Sequence, residues 1–319
     1  MDYLMKKDLR IVCLGGGIGT VNLLRGLKSY TNNITVVVSM ADDGGSAGRL
    51  RRLYSIPPPG DLINCIAAMS SADPLMKDIL TYRFSGNRYG SDRSLPGHKL
   101  GNLILVALTS ITGDFNKALV EMQKIFKISG RILPSTVENL SIWAKTTTGE
   151  KVFREENIDL GRFKGKIDKL YLSPSRPTTS NEVKKALEKA DVIIAGPGDL
   201  YTTILPVLMV PEILSEIKKS RAHKIFVVNV ANKPFETPDY RVADFIQAIT
   251  RHCQNQLFHH FLVNNNYRTV IPRKYHYKYV RNGLSGKDSK IIKTDLVDES
   301  FPLYHDSEKL ARKILQIIR

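Results

Sequence analysis

Near-continuous apolar runs alternate with helical patterns along most of the chain. The runs "LRIVCL", "ITVVVSM", "DVIIAG" and "KIFVVNV" show no regular exchange of apolar and polar residues, so both faces of each strand are expected to be buried. Such strands are typical of parallel sheets, because their crossover helices cover both faces. The sequence therefore predicts an α/β fold built on a mostly parallel sheet with helices on both faces.

The segments between these runs predict the rest of the organisation. Helical patterns begin near Thr20 and cover about 61–82, 98–127, 206–219, 239–252 and 306–318. The segment "LSIWAKTTTGEKVFREE" breaks the alternation, since two β-like runs flank "TTGE", and we expect a small β-hairpin insertion within about 130–172. No Gly-, Ser- or Pro-rich linker divides the chain. We therefore expect a single domain over 1–319, with a C-terminal basic segment plus helix over about 266–319.

Composition restricts the class of protein. The N-terminal "MDYLMKKDLR" lacks the apolar stretch of a secretory signal, and no later run approaches the roughly 18 apolar residues of a membrane span. We therefore expect a cytoplasmic protein with no membrane span. The three cysteines are odd in number and widely separated, which favours reduced thiols over a disulfide framework or a zinc site.

The formal net charge of +16 indicates anionic partners. Much of it is local, since eight Lys and Arg residues between Arg268 and Lys293 face the single acid Asp288. Tyrosines interleave this stretch, and stacking with cations would suit single-stranded nucleic acid. A solvated basic flank is the commoner outcome for such a run. We therefore expect no nucleic-acid partner and favour phosphate-bearing metabolites.

The first strand runs directly into a glycine turn and a helix, in "IVCLGGGIGTVNLL". Glycines let backbone N–H groups approach an anion at a helix N-terminus. The dinucleotide fingerprint G-x-G-x-x-G would need glycine where Thr20 or Asn22 stands, although Asp42 lies about where a ribose-binding acid would follow. The candidate phosphate-binding residues of this turn are Gly15, Gly16, Gly17, Gly19 and Thr20.

The second strand delivers "ADDGGSAGRLRR". Adjacent carboxylates repel by about 4 kcal/mol at 4 Å and an effective dielectric constant of about 20, so a half-buried pair calls for a cation or for hydrogen-bond donors. Mg²⁺ is one candidate, since it is usually held by one or two carboxylates and substrate phosphates. Asp42 and Asp43 are therefore candidate Mg²⁺ ligands and candidate catalytic residues. Arg49 follows as a candidate phosphate contact.

Three further strand or loop ends carry polar residues that should reach the same edge of the sheet. In "PPPGDLINC", Asp61 either caps its own helix or faces a pocket with Asn64. In "LPGHKLGNL", His98 is a candidate base or donor beside Asn102. A second strand–glycine–helix pattern, "AGPGDLYTTILPVL", is followed by "NVANKPFET". These last two segments add the candidate ligand-binding residues Gly196, Gly198, Asp199, Tyr201, Thr202, Thr203 and Asn229.

Five ordered motifs, "GGGIGTVNLLRGLK", "ADDGGSAGRLRR", "PPPGDLINC", "LPGHKLGNL" and "AGPGDLYTTILPVL", resemble the gluconeogenesis-factor family. This family lies within the superfamily of the 2-phospho-L-lactate transferase of coenzyme F420 synthesis. The resemblance covers about residues 9–265 and implies a Rossmann-like sheet with an inserted β element and a cleft formed by the five motifs.

The two branches of the superfamily imply different functions. The transferase branch implies a divalent metal held by aspartate and a guanosine diphosphate donor. The gluconeogenesis-factor branch implies a cytoplasmic role in carbon metabolism and cell-envelope morphogenesis, with a nucleotide sugar such as UDP-N-acetylglucosamine as ligand. The transferase loop reads Gly-Gly-x-Gly-Gly-x-Lys, whereas Asn22 occupies the lysine position here. "NVANKPFET" is also closer to the factor branch, as is "YHDSEKLARKIL", where Ser307 is a candidate phosphorylation site.

The sequence therefore predicts a nucleotide-sugar-binding regulator, with other nucleotide diphosphates as possible ligands. A regulator of this kind would act on a protein partner, and a homo-oligomer is compatible with the sequence. The alternative is a Mg²⁺-dependent transferase that releases a nucleoside monophosphate. Segment 268–293 departs from the family pattern and receives no role.

Overall fold

A computed structural model describes residues 9–283 and 290–318. Its strands are β1 (Ile11–Gly15), β2 (Ile34–Val38), β3 (Arg131–Pro134), β4 (Ser141–Thr146), β5 (Lys151–Phe153), β6 (Ile167–Ser173), β7 (Val192–Ala195), β8 (His223–Val227), β9 (Ala231–Asn232), β10 (His260–Asn264), β11 (Lys278–Tyr279) and β12 (Ile291–Thr294). Seven of them form one sheet in the order β12-β10-β8-β7-β1-β2-β3, and every pairing in it is parallel. The predicted Rossmann-like α/β fold is confirmed.

The α-helices are α1 (Gly17–Leu27), α2 (Gly45–Tyr54), α3 (Gly60–Met69), α4 (Pro74–Thr81), α5 (Leu100–Thr112), α6 (Phe115–Ile125), α7 (Glu155–Asp159), α8 (Asn181–Glu188), α9 (Leu205–Leu208), α10 (Pro211–Lys219), α11 (Val242–Cys253) and α12 (Ser307–Ile317). A π-helical turn covers Leu200–Ile204 and a 3-10 turn covers Arg273–Tyr275. Within the described residues, no single helix is both long and apolar enough to span a membrane; the bent pair Leu200–Leu208 and Pro211–Lys219 meets that criterion only by length and composition.

Apolar strands bury both faces of the main sheet, as the sequence pattern predicts. All five residues of β1 and of β2 are buried. One hydrophobic core holds Val12 and Leu14 of β1, and a second core holds Ile11 and Cys13. Successive residues of one strand therefore serve opposite cores, which explains why these strands read as continuous apolar runs.

The strand order changes direction at β1, because strands are added first on one side of β1 and later on the other. From β1 the chain continues to β2 on one side, whereas β7 returns to pair with the other side of β1. Such a topological switch point leaves a crevice outside the carboxyl ends of the two strands. The crevice between β1 and β7 is therefore the expected position of a ligand.

The inserted β element is a three-stranded antiparallel sheet in the order β5-β4-β6. The hairpin expected around "TTGE" joins β4 to β5. Two details differ from the prediction for 130–172. Strand β3 belongs to the main sheet as its edge, because it pairs with β2. Strand β6 adds a third strand on the other side of β4, from a run whose mixed charges concealed its β pattern.

The C-terminal segment closes one side of the molecule. Strand β12 is the edge of the main sheet, and α12 packs against α1. The backbone carbonyl of Ser307 lies so close to Gly26 that no Cβ fits there. Part of the basic segment, 284–289 with Asp288, and most of the N-terminal stretch, 1–8, lie outside the described residues. The three cysteines are buried free thiols.

Candidate functional site

Two glycine turns meet at the switch point. The first follows β1, and the second, Gly196–Gly198, follows β7. The N–H of Gly16 donates to Thr20 Oγ1 at 2.9 Å, and this hydroxyl donates to the carbonyl of Pro197 at 3.3 Å. A Cβ at Gly19 would lie 2.5 Å from the same carbonyl oxygen. The absence of a side chain at Gly19 therefore lets the two turns touch.

Both turns open into one cleft of about 1020 Å³. Twelve of the residues proposed from the sequence line it: Gly16, Gly17, Gly19, Asp42, Asp61, Asn64, Asn102, Gly198, Asp199, Thr202, Thr203 and Asn229. A second group lies behind this lining or away from it: Gly15, Thr20, Asp43, Arg49, His98, Gly196 and Tyr201. The structure thus brings together residues from the five motifs and from "NVANKPFET". Their role in binding stays a prediction.

Asp61 reaches across to the first glycine turn. Its side chain makes no cap for its own helix, α3. Instead it lies against the turn at the start of α1, where a Cβ at Gly16 would collide with Asp61 Oδ2. Burial raises the pKa of Asp61, against the opposing effects of Lys99 and the Gly17 N–H. A carboxylate therefore already lies beside the helix terminus that was expected to receive phosphate.

Asp43 and Arg49 do not occupy the positions expected of ligand-binding residues. Asp43 Oδ1 accepts from the N–H of Glu156 at 3.0 Å, and Asp43 forms an ion pair with Arg154 at 3.6 Å. Arg49 is 1% exposed, and its guanidinium donates to the carbonyl of Pro96 at 2.9 Å. Asp43 thus links the segment after β2 to Arg154 and Glu156 of the inserted element. Arg49 holds the loop that precedes α5.

His98 and Tyr201 also lie outside the cleft. The Nδ1 of His98 is 2.9 Å from Ser46 Oγ, and the ring is 3% exposed. Burial lowers the pKa of His98 and so favours a neutral ring, and its position behind the cleft lining suits a residue that orients Ser46. The hydroxyl of Tyr201 bonds to that of Tyr240 at 2.8 Å in the hydrophobic core.

Asn102 carries an unsatisfied atom beside the cleft. It is 1% exposed, and its Nδ2 donates to Ser46 Oγ at 3.2 Å. Its buried Oδ1 has no hydrogen-bond partner within 9–283 and 290–318. Buried polar atoms are usually paired, so an unpaired acceptor at a cleft wall is a position for a ligand or a bound water.

Asp42 lies among other acids. Burial raises the pKa of the Asp42 carboxyl to about 7, and the nearby charge of Asp61 adds to the increase. Burial likewise raises the pKa of Glu155 well above its usual range, with Asp42 contributing. Both groups line the cleft. Their charges are therefore poorly compensated until a cation or a hydrogen-bond donor arrives.

This donor set fits Mg²⁺ only in part. Among the residues that the structure describes, no group of three or more His, Cys, Asp or Glu side chains is placed to hold a metal ion. Asp43, the expected second ligand, is bonded elsewhere. Asp42 could therefore hold Mg²⁺ only together with phosphates of a ligand.

The sequence reasoning missed an ion-pair network on the opposite wall. Lys233 Nζ contacts Asp159 and lies 2.7 Å from Asp199 Oδ2. Burial opposes the charge on Lys233, but the surrounding carboxylates, led by that of Asp199, hold its pKa well above the usual range. Glu236 Oε1 accepts from the backbone N–H groups of Tyr201 and Thr202, both at 2.6 Å. Lys233 and Glu236 both belong to "NVANKPFET", so this motif was the sequence feature that could have indicated the network.

Cations on the rim were also missed. Arg88 and Lys99 line the cleft, together with Arg83. Arg88 packs over Gly45, where a Cβ would lie 2.6 Å from its Nε. Lys99 Nζ donates to Asn64 Oδ1. Arg88 lies outside the five motifs, whereas Lys99 stands between His98 and Asn102 in "LPGHKLGNL", so that motif was the available signal for Lys99.

Thr20 is expected to position the two turns through its hydroxyl. Thr20→Val should destabilise the protein by about 1–2 kcal/mol, because the buried Gly16 N–H loses its acceptor. Thr20→Ser keeps the hydroxyl and should recover most of that loss. Urea unfolding of both variants measures the difference. Equal stabilities for the Val and Ser variants would show that the hydroxyl has no such role.

The fold and the site define a Rossmann-like α/β protein with a polar cleft at the switch point of its sheet. The family model described as 2-phospho-L-lactate transferase CofD matches residues 11–318. A gluconeogenesis factor from Bacillus subtilis (strain 168) is 37% identical over 323 residues, covering 99% of this chain and 100% of the relative. A gluconeogenesis factor from Halalkalibacterium halodurans is 42% identical over 249 residues, covering 78% of this chain and 75% of the relative.

A solved structure agrees with these relatives. A crystal structure of a UPF0052 family member from Bacillus halodurans has a TM-score of 0.87 and 36% identity, and covers 98% of this chain and 99% of that chain. The chain therefore belongs to the gluconeogenesis-factor family, within the CofD superfamily. The resemblance read from the five motifs is confirmed.

Proposed function

We propose that this chain is a cytoplasmic regulator that binds a nucleotide diphosphate sugar in the cleft and couples it to carbon metabolism and cell-envelope morphogenesis. The observation that carries the proposal is the contact between the two glycine turns, which open into one cleft. Relatives named gluconeogenesis factor support the metabolic role.

The diphosphate is placed beside the free first-turn N–H groups of α1. These groups have no intrahelical partner, and the positive end of the helix dipole favours an anion. The Asp61 carboxylate lies beside Gly16, so the phosphates are placed toward Gly19 and Gly198. Lys99 and Arg88 supply positive charge from the rim.

The sugar and the base are placed on either side of the diphosphate. Asp42, with the unsatisfied Asn102 Oδ1 close to the same wall, suits sugar hydroxyls. Tyr277 and Tyr304 line the cleft near Lys233 and offer rings to a base. UDP-N-acetylglucosamine is the ligand of this class that we favour. Binding would then change a surface that meets a protein partner, and phosphorylation of Ser307 at the start of α12 would act on the helix that packs against α1.

A transferase activity is the second candidate, and the gathering of Asp42, Asp61 and Glu155 favours it. In that reaction Asp42, together with the phosphates of the ligand, would hold Mg²⁺, and the ion would supply positive charge for the departing nucleotide. A thermal-shift screen of uridine and guanosine diphosphate sugars, with and without Mg²⁺, tests the binding proposal, since a ligand at about 100 times its Kd adds about 2.7 kcal/mol. Chromatography of the same mixtures with an added alcohol acceptor tests turnover, because transfer of the sugar phosphate to that acceptor with release of nucleoside monophosphate would establish the transferase.

Arg88→Met is expected to weaken nucleotide-sugar binding by about 10–100-fold, since a charge-assisted hydrogen bond contributes about 1.5–3 kcal/mol. The exposed side chain should leave stability unchanged. Arg93→Met is the matched control: it removes the same charge from the same exposed loop but does not line the cleft. Isothermal titration calorimetry compares the two variants. Equal losses would show that the effect is general electrostatics and would contradict the assigned position of the phosphates.

A further inference from the structure

The solvent-facing side of the inserted sheet carries two cross-strand rows. Trp143 of β4 pairs with Phe153 of β5 and with Tyr171 of β6. Two residues further along β4, Lys145 pairs with Lys151 and with Lys169. We call these six residues, Trp143, Lys145, Lys151, Phe153, Lys169 and Tyr171, the aromatic–lysine face. The opposite side of the sheet is buried in the hydrophobic core.

The three rings form a ladder. Trp143 and Tyr171 are stacked with centroids 4.0 Å apart and an interplanar angle of 8°. Trp143 and Phe153 are 5.8 Å apart at 26°. The indole is therefore covered on both sides, whereas Phe153 ends the ladder on an edge strand and is 58% exposed. One further flat ring could continue the ladder on the open side of Phe153.

The protein compensates the lysine row only in part, since Arg251 and, more weakly, Lys145 lower the pKa of Asp168. Lys151 Nζ lies 5.6 Å from the Trp143 ring centroid, and Lys169 Nζ lies 5.3 Å from that of Tyr171. In the described ranges none of the three lysines forms an ion pair with an acid. The neighbouring Asp168 is paired with Arg251 at 2.6 Å.

A contribution to the stability of the sheet explains the aromatic row but does not explain the lysine row. Cross-strand aromatic pairs stabilise a sheet by roughly 0.2–1 kcal/mol each, so the ladder needs no ligand. Like charges that face each other across strands are destabilising. Repulsion within the lysine row is offset only by the ring contacts of Lys151 and Lys169, so a negatively charged partner would relieve it.

We propose that the aromatic–lysine face binds single-stranded nucleic acid. A base stacks on the open side of Phe153, and successive phosphates lie along the lysine row. The two rows are separated by two residues, about 6.6–6.8 Å along the strand. Each nucleotide likewise carries one flat base and one charged phosphate. Proteins bind single strands without sequence preference by stacking the bases on aromatic side chains and holding the phosphates with cations.

This inference reverses the expectation of no nucleic-acid partner, which rested on segment 268–293 alone. An acidic protein segment would use the lysines but has no need of an open ring at the end of a ladder. The face lies on the inserted sheet and does not depend on the nucleotide-sugar proposal.

Fluorescence titration tests the proposal, because Trp143 is the single tryptophan of the chain. The probes are a ten-nucleotide oligouridine, an RNA duplex of the same length and a poly-glutamate peptide of matched charge. We expect the oligouridine to change Trp143 emission and to bind at least tenfold more tightly than the duplex or the peptide. Affinity should fall with salt at a log–log slope of about −2, from about three phosphates at about −0.7 each.

Variants identify the surface. Lys145→Gln/Lys151→Gln/Lys169→Gln should weaken oligouridine binding at least tenfold. Lys117→Gln/Lys185→Gln/Lys189→Gln, which removes the same charge from exposed lysines elsewhere, should weaken it less than threefold. Phe153→Leu should weaken binding of the oligouridine but leave the residual affinity for the duplex unchanged. Thermal unfolding of each variant confirms that the sheet is intact.

Three results would overturn the proposal. They are no binding of the oligouridine at low salt, an equal loss of affinity in the two triple variants, and binding of the peptide as tight as that of the oligouridine. The last result would assign the face to an acidic protein partner.

Discussion

Gly19→Ala is expected to abolish measurable nucleotide-sugar binding, with a loss of at least about 100-fold, and to lower the free energy of unfolding by about 1–3 kcal/mol. A Cβ at this position would lie 2.5 Å from the Pro197 carbonyl oxygen and 3.1 Å from the Gly198 nitrogen. Both are backbone atoms that cannot rotate away, so the two glycine turns must separate. Because the ligand is proposed to touch both turns, a displacement of this kind removes contacts on both sides. Calorimetric titration and urea unfolding measure the two effects.

Gly113→Ala is the matched control. This glycine has a positive φ of 68° at the end of α5, and a Cβ there meets no atom within 4 Å. We expect only the backbone strain of about 1 kcal/mol and unchanged affinity. If Gly19→Ala bound the ligand as tightly as Gly113→Ala, contact between the two turns would be irrelevant to binding.

Asp42→Asn is expected to stabilise the ligand-free protein by about 2–4 kcal/mol at pH 8, since a tenfold change in proton affinity corresponds to about 1.4 kcal/mol. Burial and the nearby Asp61 raise the pKa of Asp42 to about 7. Asparagine removes the charge but keeps the oxygen that accepts from the Gly44 N–H at 3.0 Å. The same change should weaken nucleotide-sugar binding about tenfold, because a hydrogen bond to a charged group is lost.

The pH dependence of this variant has a definite sign. A raised pKa in the folded protein means that stability is complete when Asp42 is protonated and is lost as pH rises from about 4 to 7. The advantage of Asp42→Asn over the natural chain should therefore be largest above pH 7 and should shrink toward pH 4. Asp78→Asn, an exposed acid of the same cleft, should change stability by less than about 0.5 kcal/mol throughout. Thermal unfolding across pH 4–8 would contradict this account if Asp42→Asn gave a constant difference or none.

Strand ends were predictable because their chemistry is local. The glycines after β1 and β7 must sit at the carboxyl edge of a parallel sheet, and the pairing of β1 with β7 brings them together. The pattern of apolar runs also identified most helices and strands. What it could not give is the strand order, since the position of β7 beside β1 depends on packing far apart in sequence.

Side-chain direction was not predictable from position along the chain. Asp42 and Asp43 are adjacent, yet Asp42 lines the cleft and Asp43 turns toward Arg154. Arg49 and His98 looked like ligand contacts and instead hold a loop and a buried serine. In each case the partner comes from a distant segment, so only the folded chain shows which polar group is already satisfied.

A crystal structure of the protein with UDP-N-acetylglucosamine tests the central claim most directly. We expect the diphosphate to lie between the two glycine turns, within hydrogen-bond distance of backbone N–H groups in both 17–20 and 198–203. A diphosphate bound to only one of these segments, or outside the crevice between β1 and β7, would contradict the account.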